Sequence, residues 1–151
     1  MTSIVVQNYS VTNAYVQCEH DPNFTCLSIG SNFGNYAAFV IVDTRLVNEL
    51  QHFIWTGGLR AGNRELHHFH ATVTHDNRQH LQRLNLFQRE RRISLHRFIA
   101  SLEAGEEITK VYYKGSTEDL RISSITWLSP SLYNKLYDET NTIITDNMGR
   151  F

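Results

Sequence analysis

ISLHRFIASLEAGEEITKVYYKGSTEDLRISSITWL, residues Ile93 to Leu128, decides how the chain reads. Its first half carries the punctuation of a short helix. Ser94 suits an N-cap, and Leu95, Phe98, Ile99 and Leu102 recur at helical spacing. Gly105 stands where a left-handed stop belongs. The second half predicts a strand over 108–113, a turn at Lys114-Gly115-Ser116 and a short second helix opened by Thr117. Tyr112 and Tyr113 are adjacent in that strand, so one should face the core and the other the surface.

Working towards the N-terminus, residues 75–92 are polar and arginine-rich and read as a long loop or an irregular helix. The stretch from Glu65 to Thr74 is the best strand pattern in the chain. Strict alternation would put His68, His70, Thr72 and Thr74 on one face and His67, Phe69, Ala71 and Val73 on the other. Gly57, Gly58 and Gly62 predict a loose loop. Asp43 is a good N-cap for a helix carrying Leu46, Val47, Leu50 and Ile54 and ending near Trp55. Phe24 to Ile29 and Ala37 to Val42 read as a strand pair joined by a Gly/Asn turn. Residues 1–22 give weak signals. Towards the C-terminus, Ser129-Pro130 should open a helix bearing Leu132, Tyr133, Leu136 and Tyr137, with a loose polar tail after it. Trp55 and Trp127 are expected in the core.

The bulk composition narrows the class. At 151 residues and 41% hydrophobic, the chain suits one domain with a real core, residues 1–151. No apolar run approaches the roughly 20 residues of a membrane span, and no signal peptide is expected. Cys18 and Cys26 are expected as free thiols in a cytoplasmic setting. Net charge is −1, but it is unevenly placed. From Arg60 to Arg97 there are eight arginines against three acids, with six of the eight histidines, while the remainder is acidic. All the basic residues of that stretch are arginine, whose planar fork suits phosphate, so a nucleic-acid partner is expected.

Taken in order, these pieces resemble phage and intron-type HNH homing endonucleases, whose N-terminal half is a DNA-binding sheet like that of plant ethylene-response factors. The likeness rests on Phe39-Val40-Ile41-Val42-Asp43, on Phe53-Ile54-Trp55, on Ile93-Ser94-Leu95-His96-Arg97-Phe98-Ile99, and on Gly115 to Ile125. It implies an α+β fold: a small N-terminal antiparallel sheet with a helix (24–92), then a ββα-type, His-Me finger-like strand-turn-helix platform (93–137), then a tail (138–151). It also implies DNA as partner, and a bacterial host cytoplasm if the chain is phage-encoded. The family ends its strand with an Asp-His pair and places a metal-binding Asn in the next helix. Here Tyr112, Tyr113 and Ser124 occupy those positions. A tyrosine with pKa near ~10 is a poor base at neutral pH, and a hydroxyl is a poor ligand for a hard cation. The frame is thus expected to be kept with cleavage impaired or altered, and Asp119 and Arg121 would hold the turn together.

The residues leave two other readings open. In one, His68-Phe69-His70 presents two imidazoles about 7 Å apart on one strand face. That resembles the metal motif of HUH nucleases. Mg²⁺ or Mn²⁺ on His68 and His70 would polarise a phosphodiester, and a tyrosine (Tyr113, Tyr133 or Tyr137) would attack it. His75 and His80 could extend such a metal site, although no cysteine pattern or helical His-Glu-x-x-His argues for zinc. In the other, the chain is a non-enzymatic phage interaction protein that binds a protein partner. For DNA, the strand 65–74 and its neighbouring hairpin would enter the major groove. Arg60, Arg64 and Arg78 would contact bases or phosphates beside the sheet, and Arg83, Arg89, Arg91 and Arg92 would track the backbone.

Overall fold

The computed structural model describes residues 3–8, 11–31, 34–59, 66–128 and 130. The expected helix around Tyr133 and Tyr137, the tail, Arg60 and Arg64 lie outside them.

The chain is α+β. It opens with a four-stranded antiparallel meander: β1 (Ser3–Asn8), β2 (Val11–Gln17), β3 (Phe24–Ser31) and β4 (Gly34–Asp43). The strand pair read at 24–42 is present, and two strands that the weak N-terminal signal did not announce extend it. Alternation buries Leu27 and Ile29 of β3 and Ala38, Val40 and Val42 of β4. On β2, Tyr15 and the uncharged amide Asn13 face the same way. The Asn13 side chain clamps the backbone of Trp55. Its Nδ2 donates to the Trp55 carbonyl at 2.8 Å, and its Oδ1 accepts from the Trp55 N–H at 2.7 Å. A buried polar side chain is tolerated here because both halves of the amide are satisfied.

After β4 the backbone makes a 3-10 turn (Thr44–Leu46) and one turn of α-helix, α1 (Val47–Leu50). The helix expected to run to Trp55 stops here, and Asp43 does not cap it. The Asp43 carboxylate instead accepts from the Ile122 N–H at 2.7 Å, far along the chain. Gly57 and Gly58 of the glycine loop expected next lie in a strand, and Gly62 is outside the described residues. β5 (Thr56–Leu59) pairs with β6 (Leu66–Thr72), which pairs with β7 (Arg92–Ser94) in a second, three-stranded sheet. The β3–β4 hairpin and β6 therefore belong to different sheets, which corrects the single small sheet expected. The second sheet packs on the first through β5 against β3 and β6 against β4.

Between β6 and β7 lies α2 (His75–Leu84), a regular helix where a long loop or an irregular helix was expected. A reciprocal cap starts it: the Asn77 N–H donates to Thr74 Oγ1 at 3.2 Å, and the Thr74 N–H to Asn77 Oδ1 at 3.3 Å. Asn85, left-handed at φ 58°, ends it. α3 (Leu95–Ala104) matches its expectation and buries Leu95, Phe98, Ile99 and Ala100. Gly105 closes it at φ 71°, a conformation that costs glycine least. Ser94 is extended at the N-cap position but makes no side-chain cap bond.

The last described strands, β8 (Val111–Tyr113) and β9 (Ile125–Trp127), pair with each other. The helix expected from Thr117 is absent, and a 3-10 turn over Ile122–Ser124 is the only helical piece of that segment. Backbone groups that a helix would pair internally go to the free edge of β4. The Ile41 N–H donates to the Glu118 carbonyl and the Leu120 N–H to the Ile41 carbonyl, both at 2.9 Å. This parallel bridge covers an edge that would otherwise be open to pairing with another chain. One core, from Tyr15 to Ile125, runs through all these pieces, with Phe53, Trp55 and Phe98 in mutual ring contact at its centre. Trp55 is fully buried and Trp127 packs on the core margin. Both cysteines are free. Among the described residues, no helix is long and apolar enough to cross a membrane.

Candidate functional site

β6 is where the local sequence departs from plain strand geometry. Thr56 faces His70 but Gly58 faces His67, so β6 carries one extra residue there, and His68 adopts φ 55°. A bulge with a left-handed residue re-aims the side chains around it. His68 turns to an open cavity of about 210 Å³ that Phe69, His96, Tyr113 and Thr117 also line. His70 does not line that cavity, and its Nδ1 bonds back to the His68 carbonyl at 2.9 Å. Since a carbonyl only accepts, that nitrogen carries the proton. The bulge thus interrupts the two-residue period from which paired imidazoles were expected. Among the described residues, neither histidine joins a cluster of three metal-ligating atoms.

The other walls come from the platform. α3 places His96 one residue inside its N-terminus, and β8 places Tyr113 against it, ring centroids 5.5 Å apart. Burial pushes the His96 imidazole down to about 4, with Arg97 and then His68 adding repulsion. The ring is therefore neutral at physiological pH and can accept a hydrogen bond or a proton. Burial raises the Tyr113 phenol, so it stays protonated and can donate. Tyr112, its neighbour, points outward and is 58% exposed, as the alternation required.

Two imidazoles, a phenol and a hydroxyl can hydrogen-bond a phosphate or a base edge. They are a poor donor set for Mg²⁺ or Mn²⁺, which favour several oxygens including carboxylates, and no carboxylate lines the cavity. Asp119, an acid of the turn after Thr117, is already committed. It accepts from Arg121 Nε at 2.8 Å, Arg121 Nη2 at 2.7 Å and Ser124 Oγ at 2.8 Å. Arg121 in turn lies over the Phe24 ring at 4.9 Å. Position 124 therefore serves the turn.

These bonds hold the Asp119 carboxyl down at about 2, the Arg121 guanidinium first among the causes. An unfolded aspartate titrates near ~3.9. The contribution is therefore complete above about pH 4 and is lost as pH falls from there towards 2. With solvent screening it is worth roughly 1–2 kcal/mol. Asp119→Asn should lose that amount at pH 7 and flatten the urea-midpoint profile below pH 4. An unchanged acid limb would mean that the pair is only surface decoration.

The arginines separate into two groups. Arg78 is half-buried and donates from Nη1 to the Gln88 carbonyl at 2.6 Å, bracing the turn after α2. Arg83, Arg89, Arg91 and Arg92 are exposed, and among the described residues none forms an ion pair. They lie on the end of α2, the following turn and β7, an edge strand of its sheet. Arg92 is opposite Thr72, four residues along β6 from His68, or about 13 Å.

His96 and Thr117 were not singled out as site residues by sequence reasoning. His96 had a signal in the Leu95-His96-Arg97 triplet, whereas Thr117 had none beyond its place in the turn. No protein-family model, no curated protein and no solved structure matches the chain.

Proposed function

We propose that the chain binds nucleic acid along its phosphate backbone; the groups that would cut in an HNH homing endonuclease are replaced, and the finger's helix is reduced to a 3-10 turn. DNA is the expected polymer. The observation that carries this reading is the set of four exposed arginines between positions 83 and 92, which form no ion pair among the described residues, with Glu90 the one acid among them. Like charges left unneutralised on so short a segment repel one another, and a polyanion relieves that repulsion while releasing its counterions. The cavity at His68, His96, Tyr113 and Thr117 would then receive a phosphate or an unstacked base, and exposed Tyr112 offers a ring for stacking. In the finger reading drawn from the sequence, Tyr112, Tyr113 and Ser124 hold the positions of the general base and metal ligands, and a 3-10 turn replaces the helix that would carry Ser124. Cleavage is accordingly expected to be absent or very weak.

Titrating a labelled duplex and a labelled single strand at several salt concentrations tests this. Four phosphate contacts give a log–log slope of roughly −3.6 on a duplex and about −2.8 on a single strand. Arg91→Ala with Arg92→Ala should flatten the duplex slope by about 1.8 and weaken binding equally across sequences. A flat response in the unmodified protein removes the proposal, and a changed sequence preference in the double variant removes the backbone role. Plasmid nicking with Mg²⁺ or Mn²⁺, lost in His68→Ala and Tyr113→Ala, would instead favour the active-nuclease alternative.

A second reading has its own observation. Val16, Cys26 and Ile41 sit side by side across β2, β3 and β4, and Phe39 is 61% exposed on the same face as Ile41. An apolar patch of these side chains suits a protein partner. A flat salt response would favour it.

A further inference from the structure

A different part of the molecule gathers metal-binding chemistry. Glu49 lies on α1, His52 follows one turn later, and His80 projects from α2. One ligand atom from each lies within 4.8 Å of the other two. Glu49 and His52 are three residues apart, which places them on one face of a helical turn. The two histidine rings stack at 4.0 Å, and Glu49 Oε2 approaches His80 Nε2 to 2.6 Å. The scaffold is firm, because Asn77 Nδ2, part of the α2 cap, donates to the His52 carbonyl and ties α1 to α2.

The second observation concerns partners. The His80 side chain is only 9% exposed, and its 2.6 Å ion-pair contact with Glu49 Oε2 lacks the geometry of a full hydrogen bond. Two buried atoms pressed together without good hydrogen-bond geometry are poorly served. A cation between them would serve both.

We propose that Glu49, His52 and His80 bind a divalent transition metal of the zinc class. Two imidazoles and one carboxylate form a borderline nitrogen/oxygen set that favours Zn²⁺ over Mg²⁺. His52 is exposed, so the fourth position opens to solvent and takes water. The metal pins α1 to α2, and thereby fixes the start of the segment that carries Arg83 to Arg92. The site is separate from the cavity at His96 and does not depend on how the arginines are used. It differs from the His68/His70 pair considered from sequence; of its members, only His80 had entered that reading.

The test is zinc binding by the full chain, first freed of metal with a chelator and dialysed. Zinc at one hundred times its dissociation constant should raise the unfolding midpoint by about 5–10 °C, and Mg²⁺ should not. Co²⁺ in place of zinc should give visible d–d absorption at one equivalent. His52→Ala removes an exposed side chain and should leave the metal-free fold unchanged. It should weaken zinc binding by at least the roughly 10- to 100-fold that even an outer-shell change brings. Glu49→Gln should behave likewise, and His20→Ala should bind as the unmodified protein does. No midpoint shift in the unmodified protein, full binding by His52→Ala, or loss in His20→Ala would each overturn the assignment.

Discussion

Asn13→Ala is expected to cost about 3–4 kcal/mol. The side chain it removes is fully buried and holds both the N–H and the carbonyl of Trp55. Alanine leaves two buried backbone groups without partners, each worth roughly 1–3 kcal/mol, and water cannot follow them into the core. The damage should spread beyond β2. Trp55 is itself fully buried, donates from its indole to the Leu50 carbonyl at 3.0 Å, and touches Phe53 and Phe98. The loss should appear in urea unfolding as a lower midpoint at an unchanged m-value. A change below about 1 kcal/mol would show that the clamp is replaceable and that the amide is a passenger.

The second large effect is a pH dependence carried by His96. Its folded-state value of about 4 lies well below that of a free imidazole, chiefly because the ring is buried between α3 and β8. The unfolded ring takes its proton near ~6.5 and the folded ring only near 4. Through that interval the unfolded state binds more protons, so stability falls as pH drops from about 6.5 to 4 and this contribution levels off below. For a half-buried ring the total is about 2–3 kcal/mol. Asp119 takes over below pH 4, so the acid limb should descend in two steps. His96→Gln should remove most of the upper step and leave the lower one. His80, also lowered by burial, keeps a smaller slope in the upper window. If the upper step survives His96→Gln intact, the ring is not the source.

How much of this was legible follows from where each signal resides. α3 could be read because its apolar spacing and Gly105 are local facts. α2 could not, since it is mostly polar; Leu81, the Thr74–Asn77 cap and contacts made elsewhere support it. The Thr-x-x-Asn pattern that starts it is a weaker sign than the usual Thr-x-x-Glu. α1 was read too long because Asp43 looked like a cap, and nothing near it reveals that its carboxylate goes to Ile122. β2 was missed partly because Asn13 looks like surface until its partner at position 55 is known. The histidines of β6 show the same limit at the site. Alternation placed His68 and His70 together, whereas one left-handed residue sends His68 towards His96 and folds His70 back onto the strand. The exposed arginines were legible as charge. That none of them forms an ion pair among the described residues was not, since Arg45 and Arg121 have the same side chain and are paired with Glu103 and Asp119.

The bridge between Ile41 and Asp119 also bears on how the chain reaches this state. It joins segments separated by 78 positions, so bringing them together costs roughly 4 kcal/mol of chain entropy before any contact repays it. That seam should therefore close late, after the meander has assembled. A peptide beginning at Ile93 would lack the strand against which residues 118–120 align and the carboxylate that holds Ile122. On its own it should keep the helix of α3 in part and lose the hairpin that follows.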